Sequence, residues 1–346
     1  MKRSTMWKSI IIGMLLGGSV LAKEELNLYI WSEYLEPDLI TAFEAKYDCK
    51  VIESNYENCE EMVAKLQAGG LSQYDLVFPS DYIVPSMIEL GLLEGLDHSK
   101  ISNIGNLSET FADPDFDKGN KYSVAYQWGT IGLVYNKTAF EAPLDSWSTL
   151  FDAADSTRFS MLDSEREMTG IALRYLGYSV NTTDKKQLKE AADLMIQAKK
   201  KPSYAGFDAN VGGITKVKAK TLDVSLCYSG DAFLAMDEDE NIGYCIPKEG
   251  TVVWCDSMCI PAKAPNKELA YKFIDFILDA KNGAQLSNYI MFATPNAASI
   301  PFIEPEQLSN PSIYPDAETE KKLEFILDAG PNTAMFGELW KMVKTR

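Results

Sequence analysis

Histidine occurs once in this chain of 346 residues, as His98, and the six cysteines show no zinc-type spacing. Structural and catalytic zinc sites draw on clustered histidines and cysteines, so no metal centre of that kind is expected. Six cysteines are also too few to staple a chain of this length, which can bury a core without them. Export would permit bridges and leaves their connectivity open. Cys255 and Cys259, however, would stand roughly 13 Å apart in one strand at about 3.3 Å per residue, too far to pair. Positive charge is in short supply: 33 Lys and Arg against 50 Asp and Glu give a formal net charge of −17. Such a chain repels nucleic acid and concentrates cations, although a well-solvated acidic surface accounts for the charge equally well. No apolar run reaches the roughly 18 residues of a membrane span.

The chain does carry an export signal at its N-terminus. Met1-Lys2-Arg3 and Lys8 are basic, Ile10 to Leu16 are apolar, and Val20-Leu21-Ala22 precedes a cleavage expected after Ala22. Removing residues 1–22 takes Lys2, Arg3 and Lys8 with it and moves the formal charge from −17 to −20. No cysteine follows the apolar stretch, so a lipid anchor is not expected. The mature protein is expected in the periplasm.

Beyond the signal, strands and helices alternate. Leu26–Ile30, Cys49–Glu53 and Asp75–Phe78 read as strands. A helix from Pro37, with Leu39, Ile40, Phe43 and Tyr47 on one face, and a second over Cys59–Gly69 fall between them. That rhythm predicts a parallel sheet covered by helices, with ligands at the carboxyl ends of its strands. The middle repeats it: strands at Ile131–Tyr135, Leu222–Cys227 and Gly243–Ile246, and a helix over Lys185–Lys200. A strand resumes after Trp254 as far as Ile260, and a helix follows over Lys267–Leu278.

Aromatic residues stand beside carboxylates along the whole chain: Trp31-Ser32-Glu33-Tyr34, Ser80-Asp81-Tyr82, Tyr228-Ser229-Gly230-Asp231 and Trp254-Cys255-Asp256. A ring face attracts an organic cation by roughly 0.5–2 kcal/mol, and a carboxylate accepts a charge-assisted hydrogen bond from it. In an exported protein the set points to a receptor for a small amine.

These residues carry a wider resemblance. Leu28-Tyr29-Ile30-Trp31-Ser32-Glu33-Tyr34, Tyr74-Asp75-Leu76-Val77-Phe78-Pro79-Ser80 and Ala172-Leu173-Arg174-Tyr175-Leu176-Gly177-Tyr178 appear in order. Ile246-Pro247-Lys248-Glu249-Gly250, Asp256-Ser257, Thr294-Pro295-Asn296 and Tyr314-Pro315-Asp316-Ala317 follow. From Leu26 to about Val343 the chain resembles the periplasmic polyamine-binding proteins of ABC transporters, the spermidine and putrescine receptors. The resemblance implies an α/β fold, a type II periplasmic binding protein with the ligand cleft between two α/β lobes. The expected lobes are residues 26–130 plus 254–300 and residues 131–253 plus 301–346. Crossovers are expected near Gly129-Thr130 and Val253-Trp254, with a third near Ile300.

By the same resemblance Trp31 and Tyr34 form one aromatic wall, with Ser32 and Glu33 as polar contacts beside it. Tyr82 and Trp254 stack on the methylene chain, and Ser80 hydrogen-bonds. Asp256 and Glu167 each meet an ammonium, and Tyr228 replaces the family's tryptophan. Phe292 stands where the family has tyrosine. Ser164 replaces a second aspartate and Ile326 a glutamine of the spermidine type, whereas Asp231 matches an aspartate of the putrescine type. These departures favour putrescine over spermidine. No cofactor is implied; the expected partners are the amine and the permease subunits of the transporter, with the receptor a monomer.

Plainer roles compete. Asp231 could cap a helix starting at Ala232, Glu167 could pair with Arg166, and Phe292 could be core. Two acids in a cleft also describe a secreted glycoside hydrolase. A polyamine-sensing receptor that docks to a membrane signalling protein would carry the same residues as a transport receptor.

Overall fold

The computed structural model describes residues 23–346, so the expected export signal and its cleavage position lie outside the described residues. Strands β1 (Glu24–Ile30), β2 (Cys49–Asn55) and β3 (Leu76–Val77) run parallel in the order β2-β1-β3. Helices Pro37–Tyr47 and Cys59–Gln67 connect them. The first helix starts where it does because Pro37 supplies a helical φ and the Glu36 carboxylate accepts from the Leu39 amide at 2.7 Å. It stops at Asp48, which turns left-handed at φ 50°. Its inner face buries Leu39 and Phe43, and the Phe43 ring meets Phe273 edge-on at 5.1 Å. Burying such a ring contributes about 1.5–3 kcal/mol, so Phe43→Ala would loosen this helix first.

Strand β4 (Ser123–Asn136) then leads into a second unit built the same way. There β5 (Phe159–Leu162), β6 (Tyr204–Asp208) and β7 (Val224–Tyr228) lie in the order β7-β5-β6, again parallel. In both units the first strand lies between the other two, so connections leave it in opposite directions. The gap between the first and third strands is therefore a switch point, where ligands gather at the carboxyl ends. Strand β8 (Ile242–Cys245) pairs with β4, and β9 (Val252–Cys259) returns antiparallel to β4 from Thr130↔Val253 to Ser123↔Cys259. Strand β3 joins β9 antiparallel at Val77↔Cys259, and β10 (Glu324–Phe325) runs parallel to β9. From Ile131 onward β4 leaves β9 and pairs with β7. The strand pair β4–β9 thus joins the two units in one path, β2-β1-β3-β9-β4-β7-β5-β6.

Several expectations change. Strand β4 begins eight residues before Ile131; buried Ser123, Gln127 and Thr130 interrupt its apolar run and hid it. Strand β5, helix Glu165–Tyr175 and the terminal helix Thr333–Thr345 were not anticipated. The helix expected at Ala232 starts at Ser229 with Tyr228 as its N-cap residue, so Asp231 lies inside its first turn and is not the N-cap residue. All six cysteines are free thiols, five buried and Cys245 half-buried. Among the described residues no helix is long and apolar enough to cross a membrane, and no cluster of three metal-ligating side chains occurs.

Candidate functional site

The turn after β1 carries Trp31 to Tyr34, and the segment after β3 carries Ser80 to Tyr82, so both line the first switch point. Strand β9 brings Asp256 alongside: Ser80 and Asp256 form a β-bridge, and the Ser80 hydroxyl donates to Asp256 Oδ1 at 2.5 Å. The Tyr34 hydroxyl approaches the same carboxylate and helps to hold its charge. Tyr34 is itself fixed by the Tyr126 hydroxyl, which donates to its carbonyl at 2.6 Å. The Trp31 indole donates to the Phe78 carbonyl at 3.1 Å and packs on Tyr56 at 4.5 Å. At the second switch point Glu167 lies in the first turn of helix Glu165–Tyr175, following β5. Tyr228, the last residue of β7, donates its hydroxyl to that carboxylate at 3.0 and 3.2 Å.

A row of rings connects the two ends. Tyr228 meets Trp254 edge-on at 5.8 Å, Trp254 meets Phe292 at 4.9 Å, and Phe292 meets Tyr34 at 5.8 Å. Two glycines permit this row. A Cβ on Gly129 would stand 2.6 Å from the Trp254 ring, and one on Gly230 would stand 2.5 Å from the Phe292 ring. Neither position has room for a side chain, so the rings lie directly on backbone.

Charge at the site is one-sided. Burial pushes the Asp256 carboxyl up to about 7, with Glu167 adding to the rise and the Ser80 and Tyr34 hydroxyls opposing it. Burial also raises Glu167. Asp81 is 2% exposed, and burial followed by the Asp256 charge drives its carboxyl well above the usual range. Among the described residues no Lys or Arg forms an ion pair with Asp81, Glu167 or Asp256. Glu167 does not pair with Arg166, whose guanidinium lies 4.1 Å over the Phe336 ring and donates to the Leu327 carbonyl. Carboxylates buried without cations must take protons or a cation from outside. Two residues along the strand from Asp256, the Trp254 indole nitrogen is buried without a hydrogen-bond partner.

Most of the expected site residues therefore converge. Trp31, Tyr34, Ser80, Tyr82, Trp254, Asp256 and Phe292 gather around the first switch point, Glu167 and Tyr228 around the second. Asp231 acts on Tyr228 through its charge. Ser32 and Glu33 are exposed on the turn, Glu33 at φ 55°. Phe292 is 8% exposed and serves both as packing and as part of the ring row. Sequence reasoning gave no place to Glu60, whose Oε1 accepts the Tyr82 hydroxyl at 3.2 Å. Asp81 belongs to the set of aromatic residues beside carboxylates read from the sequence, in Ser80-Asp81-Tyr82.

Comparison with known proteins places this geometry. Residues 38–313 match the family described as bacterial extracellular solute-binding protein. The chain is 36% identical to the putrescine/cadaverine-binding protein of Pseudomonas aeruginosa, over 99% of this chain and 100% of that protein. It is 35% identical to the spermidine/putrescine-binding periplasmic protein of Escherichia coli, over 92% of this chain and 91% of that one. The crystal structure of a spermidine/putrescine ABC transporter substrate-binding protein from Streptococcus pneumoniae superposes with a TM-score of 0.84 at 32% identity. That match covers 93% of this chain and 100% of the other. These are binding proteins, so the hydrolase reading falls. The chain belongs to the bacterial extracellular solute-binding proteins, in the group of spermidine/putrescine receptors of ABC transporters.

Proposed function

We propose that this protein binds a polyamine, putrescine in preference to spermidine, in a cleft between its two units and hands it to the permease of an ABC importer. The observation that carries the reading is the buried Asp256 carboxylate. It is held by Ser80 at 2.5 Å, faced by a row of rings, and has no cation of the protein beside it. One ammonium pairs with Asp256 and Ser80, the methylenes lie on Trp254, Tyr82 and Trp31, and the other ammonium pairs with Glu167 beside Tyr228. Tyr34 and Phe292 close the wall, Ser32 and Glu33 stand at its rim, and Asp231 adds charge near Tyr228. Each ammonium leaves water on binding, so each needs a carboxylate.

Preference for the shorter amine has two supports. Asp231 places negative charge close to Tyr228. Ile326, 4% exposed, offers an apolar surface where a third amine would need a polar partner. The proposed lobes are residues 26–130 plus 254–300 and residues 131–253 plus 301–346. Their boundary is supported by the switch of β4 from β9 to β7 at Ile131. Export with cleavage after Ala22 and delivery as a monomer complete the proposal.

Calorimetric titration of the mature protein with putrescine, spermidine and cadaverine tests it. Putrescine is expected to bind about tenfold tighter than spermidine, about 1.4 kcal/mol. Tighter spermidine binding would remove the roles given to Asp231 and Ile326 and keep the site. No heat with any amine would remove the ligand class.

A further inference from the structure

Strand β9 holds Asp256 between two neighbours. On one side it bridges Ser80, and on the other it stands opposite Gln127 of β4. The irregularity in the β4–β9 ladder lies between Ala125 and Gln127, and from Gln127 to Thr130 the register is unbroken. Residues directly opposite one another point to the same face of a sheet, so Ser80, Asp256 and Gln127 form one row. Two observations fix which face that is. The Ser80 hydroxyl donates to Asp256 Oδ1 at 2.5 Å. A Cβ on Gly129, two residues along β4 from Gln127, would stand 2.6 Å from the Trp254 ring. Gln127 therefore shares the face that carries Trp254 and Asp256. It is 1% exposed, and its Oε1 is buried without a hydrogen-bond partner. Ser80 bonds to the Asp256 carboxylate and the Tyr34 hydroxyl approaches it, whereas the Gln127 amide makes no bond to it. A buried amide oxygen left unmet destabilises a fold, and an apolar side chain of similar length would avoid that cost.

We infer that the Gln127 side-chain oxygen is a third acceptor for the ammonium that pairs with Asp256, so that this end of the site selects a primary amine. The inference rests on the polyamine reading above and adds to it a residue and a rule for the ligand's terminus. A primary alkylammonium carries three N–H donors, as a lysine side chain does. The Asp256 carboxylate accepts one. The Ser80 oxygen, whose own hydrogen is given to Asp256, accepts a second, and Gln127 accepts the third. Methylation of that nitrogen keeps its charge, so Asp256 alone could not tell the two forms apart. It removes one donor, however, and leaves one buried oxygen unmet, a defect that a polar site rejects strongly.

Calorimetry with putrescine and N,N′-dimethylputrescine on the wild type, Gln127→Met and Gln127→Leu tests the assignment. The wild type is expected to prefer putrescine by about tenfold or more. Gln127→Met, close in length and without the acceptor, is expected to bind putrescine about tenfold more weakly and the dimethyl compound within about twofold of wild type. Its ligand-free form is expected to melt no lower than the wild type, since the unmet oxygen is gone. Gln127→Leu repeats the comparison with a shorter apolar side chain. Equal losses of the two amines would assign Gln127 to holding Asp256 and overturn the inference. Putrescine binding by both variants within about twofold of wild type would overturn it as well. So would a wild type that binds the two amines within about twofold of each other, a result that needs no variant. Each of these leaves the polyamine reading intact. A wild type that binds none of putrescine, cadaverine or spermidine would overturn both.

Discussion

Acidification should weaken ligand binding steeply, and the structure sets the size of the effect. In the empty protein the Asp256 carboxyl is pushed up to about 7, first by burial and then by Glu167. An ammonium at 3 Å-scale contact would bring it back to the ordinary carboxylate range, near 4. The amine keeps its charge throughout, since alkylammonium groups lose it only near pH 10. Binding therefore requires the charged form of Asp256, and the affinity follows the charged fraction. At about pH 8 that fraction is near nine-tenths, and at about pH 5 it is near one-hundredth. The predicted loss is about 90-fold, or roughly 2.7 kcal/mol, present below pH 7 and absent well above it. Glu167, also raised by burial, adds in the same direction. The assay is calorimetric titration with putrescine across this range, each point in two buffers of different ionisation enthalpy. At about pH 6 the pair of buffers should report close to one proton released per amine bound. Asp256→Asn should bind several kcal/mol more weakly and lose most of the pH dependence. An affinity that changes less than about threefold between pH 8 and pH 5 would refute the argument.

Three other variants separate the parts of the site. Trp254→Ala removes the ring at the centre of the row and should weaken putrescine, cadaverine and spermidine alike, by about ten- to a hundredfold in the same titration. Gly230→Ala would drive a methyl into the Phe292 ring from 2.5 Å; overpacking of about 1–3 kcal/mol should lower the melting temperature by several degrees in a calorimetric scan. Asp231→Ser should narrow the preference for putrescine over spermidine by about tenfold while leaving the fold unchanged by circular dichroism.

The alternation of strands and helices made the first unit legible, because each strand there is a short apolar run ended by a turn residue. It put Trp31, Ser80 and Tyr228 at strand ends, and the family resemblance supplied their roles together with those of Glu167 and Asp256. What sequence could not show were partners that topology alone creates. Asp256 and Ser80 lie 176 positions apart and meet only because β9 returns beside β3. Asp81 sits in a turn that the Ile83 amide closes on the Ser80 carbonyl, and its own amide donates to the Cys255 carbonyl, so its burial too comes from the return of β9. Glu60 carries the ordinary mark of a helix start, and nothing local distinguishes it from Glu61. The N-cap position falls at Tyr228 and not at Asp231 because the helix begins earlier, on Ser229 and Gly230, which are poor helix formers.

The six unpaired thiols have a consequence for biogenesis. Export to the periplasm, as proposed, would expose the emerging chain to disulfide-forming enzymes, and in an unfolded chain every cysteine would be a substrate for them. Folding removes that risk chemically as well as sterically. Cys59 and Cys245 are each pushed from 9.0 to about 12. The reactive thiolate is thereby about a thousandfold scarcer than in the extended chain. On that proposal the thiols stay reduced when strand pairing finishes before oxidation begins. The yield of reduced protein would be set by oxidase activity during export, well before any ligand is encountered.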